Sequence, residues 1–412
     1  MNDILDSIPP MLIGDELMNA LAVYPPYDPS VRNKSASERL VALTGLYDIY
    51  LPNQMSVEIY SKIHLATLRS LQKKRSITAV RQLAANKRMM MQQQGRGIIS
   101  GADCFTIIGK SGIGKSSAVW RAISLIGGNR VIEWNEPFQK VIPALVIQSP
   151  FDCSVKNLLL SILYGIDEVL ETKYYHTALR VHATTDMLLA SVSTACLNHV
   201  GTLFIDEIQS VVASKNGRNL INCITQLLNM SGISVCMIGT PESQVFFESA
   251  YQLGRRTLGL VYDNLPYDDY YRAFCRLLFS YCFVQNEPVL NETVTAWLYE
   301  HSSGGNIALT VALIYGASEI AILSGKERLN ITTLSEAYDK RLSNMHGYVE
   351  SFLRRVHANP PKEKANTPAP IKDGVLADTP NLMTIAATRA KETKEDIVEL
   401  LKNHIPVMEV SI

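Results

Sequence analysis

The chain is 412 residues long, 47% hydrophobic, with 39 basic and 39 acidic side chains that cancel. This is ordinary for a folded protein with room for two or three domains and a sizeable core. Global charge therefore excludes no partner and supports none, and an argument for nucleic acid must rest on local clustering.

The first thirty residues are rich in Pro and Asp ("SIPPMLIGDE", "YPPYDPS") and read as extended. Asp3, Asp6, Asp15 and Glu16 replace the basic start of a signal peptide, so none is expected. From Val31 to Gly97 twelve Lys and Arg face three acidic residues, a net +9, in a pattern that reads as helical ("SVEIYSKIHLATLRSLQKKR"). Near-continuous apolar runs follow at 103–109, 142–148, 202–206, 233–239 and, less regularly, 258–265. Helical patterns lie between them, after Lys115 and around 155–171, 185–199 and 217–230. Alternation of this kind implies an α/β fold with a parallel sheet covered on both faces.

Beyond Asp268 strand signals stop, and four amphipathic stretches up to Leu342 form a small all-helical region. The most apolar, 307–323, contains Glu319 and falls short of the ~20 residues of a membrane span, so it reads as a buried helix. Residues 357–380 have linker composition, and "TRAKETKEDIVELLKNHI" reads as a last helix. The seven cysteines form no CxxC pair and sit in apolar runs, as reduced core thiols of a cytoplasmic protein do. The eight histidines show no metal-ligand pattern.

"GKSGIGKSS", residues 109–117, satisfies GxxxxGK[ST] between an expected strand and an expected helix. Glycines let such a loop aim its backbone N–H groups at phosphates, and the helix N-terminus adds a favourable dipole. The nucleotide-binding residues are Gly109, Lys110, Ser111, Gly112, Ile113, Gly114, Lys115, Ser116 and Ser117. Lys115 would neutralise the β- and γ-phosphates, and the Ser116 hydroxyl would ligate Mg²⁺. "TLFIDEIQ" places Asp206 and Glu207 at a strand end, Asp206 for Mg²⁺ and Glu207 as general base on the attacking water. A strand, "IPALVIQ", fits between the two motifs, as in the additional-strand type of P-loop ATPase. No NKxD motif follows, which favours ATP over GTP.

Thr240, in "MIGTPES", either contacts the γ-phosphate or attacking water, or caps the turn that follows. Arg255 and Arg256, in "QLGRRT", are candidates for an arginine finger reaching a neighbouring subunit's nucleotide, with the choice between them open.

The order of P-loop, DEIQ, GTPES, RR and helical region resembles the AAA+ ATPases, and more narrowly the TnsC/TniB regulators of transposition. "VIQSPFDCSVKNLLLSILYGIDEVLETKYY", "LFIDEIQSVVASKNGRNLINCITQLLN", "SVCMIGTPESQVFF", "LGRRTLG" and the stretch 302–334 carry the likeness, which runs from about 100 to 342. It implies an AAA+ core at 98–266 and a helical lid at 267–346; composition and pattern add an N-terminal extension at 1–97, extended then basic helical, a linker at 347–380 and a C-terminal helix at 381–412, a candidate partner-binding tail. It also implies a regulatory ATPase whose ATP-bound subunits form a ring or filament on duplex DNA, with slow hydrolysis expected from Ala308 at the usual lid-arginine position. Such an assembly would link a target selector of TniQ/TnsD type to a transposase of TnsA/TnsB type, with no membrane involved, and hydrolysis would dismantle it. Lys156, Lys173, Lys215 and Arg218 are candidates for a DNA-facing pore. One departure stands out: where many AAA+ lids carry an arginine in G-N-x-R, "GGNIALT" has Ala308. A helicase loader shares almost every motif, and a monomeric P-loop small-molecule kinase would share the loop but not need a neighbour's arginine.

Overall fold

The apolar runs become β1 (Cys104–Gly109), β3 (Gln139–Gln148), β4 (Val200–Asp206), β5 (Ser234–Gly239) and β6 (Thr257–Tyr262), joined with β2 (Ile132–Trp134) in one sheet of order β2-β3-β4-β5-β1-β6. Only β2, a short edge strand the sequence reading did not contain, is antiparallel. The computed structural model describes residues 4–74, 76–91, 103–128, 130–134, 139–152, 154–212, 217–244, 257–347 and 349. The expected linker and C-terminal helix lie outside the described residues.

All six residues of β1 and of β5 are buried, which requires cover on both faces. On one face lie α6 (Val155–Leu170), α8 (Thr185–His199) and α10 (Gly217–Ser231), whose Leu159, Ile162, Val192 and Leu227 pack against Leu203 and Val235. On the other lie α1 (Gly14–Leu21), α3 (Gln54–Lys74) and α5 (Lys115–Leu125), where Leu17, Ile59, Ile63 and Ala118 meet Phe105, Phe204 and Ile238. Helix α3 crosses the sheet on small polar residues: Thr67 meets Thr202 (2.9 Å), and the Ser70 hydroxyl donates to the Gly201 carbonyl (2.5 Å). These buried groups are matched, so they do not oppose packing.

Much of the basic segment is therefore structural. Lys74 is half-buried and donates to the carbonyls of Cys196 (2.9 Å) and Leu197 (2.6 Å), near the C-terminus of α8, and desolvation of its ammonium pushes its pKa down to about 7. Lys62 lies over the Phe105 ring. Helix α4 (Ile77–Met90) follows α3 and packs along α8.

The second core joins α2 (Ala36–Leu43) to α11 (Asp269–Ser280), α12 (Glu292–His301), α13 (Ile307–Leu323) and α14 (Ile331–Arg341). The last four helices each start at an Asx cap, Asp268, Asn291, Asn306 and Asn330. Among the described residues no helix is long and apolar enough to cross a membrane.

The N-terminal strand of chain is clamped to this helical region. Tyr27 donates to the Cys282 carbonyl (2.6 Å), and Arg32 to those of Val284 (3.1 Å) and Gln285 (2.7 Å). Arg39 grips Glu327 through two bonds of 2.6 and 2.7 Å, with the Arg39 side chain 3% and the Glu327 side chain 14% exposed. Arg39→Ala leaves that carboxylate without a counter-charge, held only by the Gln285 N–H (3.1 Å), and is expected to cost about 3 kcal/mol at neutral pH. Glu327's pKa is lowered by its bond from Arg39, against burial. The pair's contribution is thus full above the ordinary glutamate range and is lost as pH falls through the lowered value. Melting temperatures of the two proteins should converge on acidification; a constant difference would refute the assignment.

Candidate nucleotide site

Because β1, β4 and β5 run parallel in register, the ends that carry chemistry share one sheet edge: Ile108 pairs with Gly239, Ile205 with Met237 and Gln148 with Asp206. Strand β5 lies between the P-loop strand and the Asp-Glu strand. The strand inserted in space is therefore Ser234–Gly239 and not "IPALVIQ", which pairs on the far side of β4. A cavity of about 380 Å³ opens at this edge, lined by Ser111 to Ser117, Asp206, Glu207 and Thr240.

The loop's bend depends on two glycines. Gly112 and Gly114 have φ of +81° and +92°, and a Cβ on Gly112 would lie 2.6 Å from the Asn306 Oδ1. Lys115, the first residue of α5, is 8% exposed and curls back so that Nζ donates to the carbonyls of Gly109 (2.5 Å) and Lys110 (2.7 Å). Burial lowers its pKa, against the opposing pull of Asp206, Glu207 and Glu242. Lys110 turns its side chain away, to Asp263 at 2.6 Å, and contributes its carbonyl to the loop.

At the end of β4, Glu207 has φ of +57°, a left-handed conformation rare for a residue with a side chain. Its N–H donates to the Asp206 Oδ1 (2.8 Å), and Gln209 donates its amide to the Glu207 carboxylate. Gln209 opens α9 (Gln209–Val212), and its Oε1 is buried without a hydrogen-bond partner. Thr240 makes no side-chain cap to the turn 241–243; its hydroxyl engages Glu242, whose pKa that bond lowers.

A wall of the cavity comes from residues that sequence reasoning missed. Tyr47, Ile49, Tyr50, Leu51, Asn53 and Met55 line it from the N-terminal side, and Tyr270, Phe274, Ile307, Ala308 and Val311 from the lid side. The Tyr270 hydroxyl donates to the Leu51 carbonyl (2.6 Å), tying the two sides together. The cavity thus has a polar end of loop amides, ammonium and carboxylates and an apolar end of aromatic and aliphatic side chains. That division suits a polyphosphate joined to a planar base.

Residues 67–260 match the family model described as "Bacterial TniB protein". Over that stretch the chain resembles the TniB family. No curated protein matches the chain. Among solved structures, the Aeropyrum pernix ORC1 protein in complex with DNA is similar at 14% identity and TM-score 0.41, over 81% of this chain and 78% of that one. A Walker-type ATPase of Pyrococcus abyssi is similar at 12% identity and TM-score 0.38, over 68% and 75%. Drosophila ORC bound to DNA is similar at 12% and 0.38, over 88% and 83%. The fold is α/β, with a mostly parallel sheet between helices, a P-loop between β1 and α5 and a helical region beyond the sheet.

The structure brings Lys115, Ser116, Asp206, Glu207 and Thr240 to one cavity. Arg255, Arg256 and Lys215 lie outside the described residues, and of Arg218 only the backbone, in α10, is described. Lys156, at the start of α6, and Lys173, just before α7 (Tyr174–Arg180), are exposed. The aromatic wall gave no signal in the sequence because "YDIYLPNQM" precedes the P-loop by some sixty residues and carries no motif.

Proposed function

We propose that this chain is an ATP-dependent, DNA-binding AAA+ regulator of DNA transposition. It assembles on duplex DNA as a ring or filament, connects target selection to transposase recruitment, and disassembles on hydrolysis. The observation that carries this reading is the gathering of P-loop, Asp206 and Glu207 at one cavity in a chain that resembles the TniB family.

ATP places its base against the apolar wall and its phosphates in the loop. Lys115 exchanges its two carbonyl partners for phosphate oxygens. Ser116 and Asp206 offer the hard oxygen donors that suit Mg²⁺, whose chemistry is to neutralise phosphate charge. Glu207 orients and deprotonates the attacking water, and Thr240 stands at the terminal phosphate. Arg255 or Arg256 reaches the site of the next subunit, so the interface is heterologous and closes into a ring or continues as a filament. Lys156, Lys173, Lys215 and Arg218 contact DNA phosphates, which position without reading sequence. Partners of TnsA/TnsB and TniQ/TnsD type follow from the family.

Electron microscopy of the chain on duplex DNA tests this, with and without a slowly hydrolysed ATP analogue. Nucleotide-dependent rings or filaments are expected; binding of ATP without any assembly on DNA would remove the proposal. Lys156→Ala and Lys173→Ala are each expected to weaken DNA binding across sequences and to lower the salt slope by about 0.9 per lost contact. An unchanged slope in both would move the DNA face elsewhere.

A further inference from the structure

The lid meets the P-loop directly, and through its backbone. Asn306 is 2% exposed, and its Nδ2 donates to the Ser111 carbonyl (2.8 Å). Its Oδ1 accepts from the Leu309 N–H (3.2 Å), which caps α13. Two residues on, the Ala308 N–H donates to the Gly112 carbonyl (2.9 Å). Ile307 lies over Gly114, with its Cδ1 3.6 Å from where a Cβ would stand. Ala308 has only a methyl group and cannot reach a phosphate.

We infer that Asn306 is a positioning residue that couples the lid to the nucleotide through the loop backbone. The lid follows the conformation of Ser111 and Gly112 and does not touch the terminal phosphate. It therefore reports whether the loop is occupied, and leaves the distinction between ATP and ADP to Glu207, Thr240 and any neighbouring subunit. The inference rests on the nucleotide reading of the cavity. Its physical basis is that one buried amide serves two masters: the acceptor holds the helix start, and the donor holds the loop. A buried amide that loses its acceptor is costly, and Asn306 is the buried partner, so the two elements move together.

The two roles separate by substitution. Asn306→Ser and Asn306→Asp both keep a side-chain oxygen that caps α13, and both lose the donor to Ser111. In the nucleotide-free full chain, residue-resolved hydrogen exchange is expected to quicken at the Ala308 amide by about ten-fold, with the Leu309 amide unmoved. In Asn306→Ser the Kd values for ADP and for a slowly hydrolysed ATP analogue are expected to rise together, by about five-fold. Unchanged Ala308 exchange in both variants overturns the inference, since Asn306 would then be a helix cap alone. A loss confined to the ATP analogue also overturns it, because the lid would then read the terminal phosphate. If the unaltered chain binds neither nucleotide, the nucleotide reading itself falls, whatever the Ala308 exchange shows.

Discussion

Lys115→Ala is expected to weaken ATP binding by about 100-fold or more, and to remove nucleotide-dependent assembly with it. The ammonium stands at the base of the loop, held by the Gly109 and Lys110 carbonyls. Those contacts place it before any phosphate arrives, so little ordering is left to be done on binding. Bonds from an ammonium to phosphate oxygens are charge-assisted, each worth roughly 1.5–3 kcal/mol, and two of them account for the factor. Burial has lowered this lysine's pKa; polyphosphate raises it again, and alanine offers no such response. Calorimetric titration with ATP and ADP measures the loss, and an unchanged melting temperature shows that the fold survives. A variant that binds ATP as the unaltered chain does would place the phosphates elsewhere.

Glu207→Gln is expected to keep ATP binding and assembly on DNA and to lower turnover by about 10²–10⁴-fold, the range for loss of a general base. Glutamine has the size of glutamate and can keep its place beside Asp206 and Gln209, but it cannot take a proton. The left-handed backbone at Glu207 is a further sign that position matters here. Such a conformation costs on the order of 1–3 kcal/mol and persists only where its surroundings hold it. The bonds on either side, from its own N–H to Asp206 and from Gln209 to its carboxylate, do that. Phosphate release under saturating ATP gives the rate, and microscopy of the same sample shows whether assemblies persist. A folded variant that turns over normally, or that fails to assemble, would contradict the role given to this carboxylate.

The two motifs were legible because each is local. A phosphate loop needs its glycines, lysine and serine within eight residues, and Asp206–Glu207 follow directly on an apolar run. The strands and most helices were legible for the same reason, from apolar runs and from helical spacing of apolar residues. What was not legible required two distant segments to meet. Nothing in "IEW" marks an antiparallel edge strand, because its partner β3 defines it. The +9 segment reads as a basic helical stretch, yet Arg39 is consumed by Glu327 and Lys74 by the end of α8. Charge counted along a sequence does not say which charges are already neutralised.

The chain by itself thus determined that there is a phosphate loop, an acidic pair to act beside it, and an α/β order followed by helices. Each of these is written in short-range chemistry: side-chain type and spacing. Only the tertiary structure decided that β5 and not β3 separates the two motifs in space. It alone brought Tyr47, Met55, Tyr270 and Phe274 to one wall of the cavity. It also decided how the lid meets the loop where Ala308 offers no long side chain. The answer, a single amide of Asn306 on the Ser111 carbonyl, spans 195 positions of sequence. Its donor and acceptor become partners only once the sheet and the lid have packed.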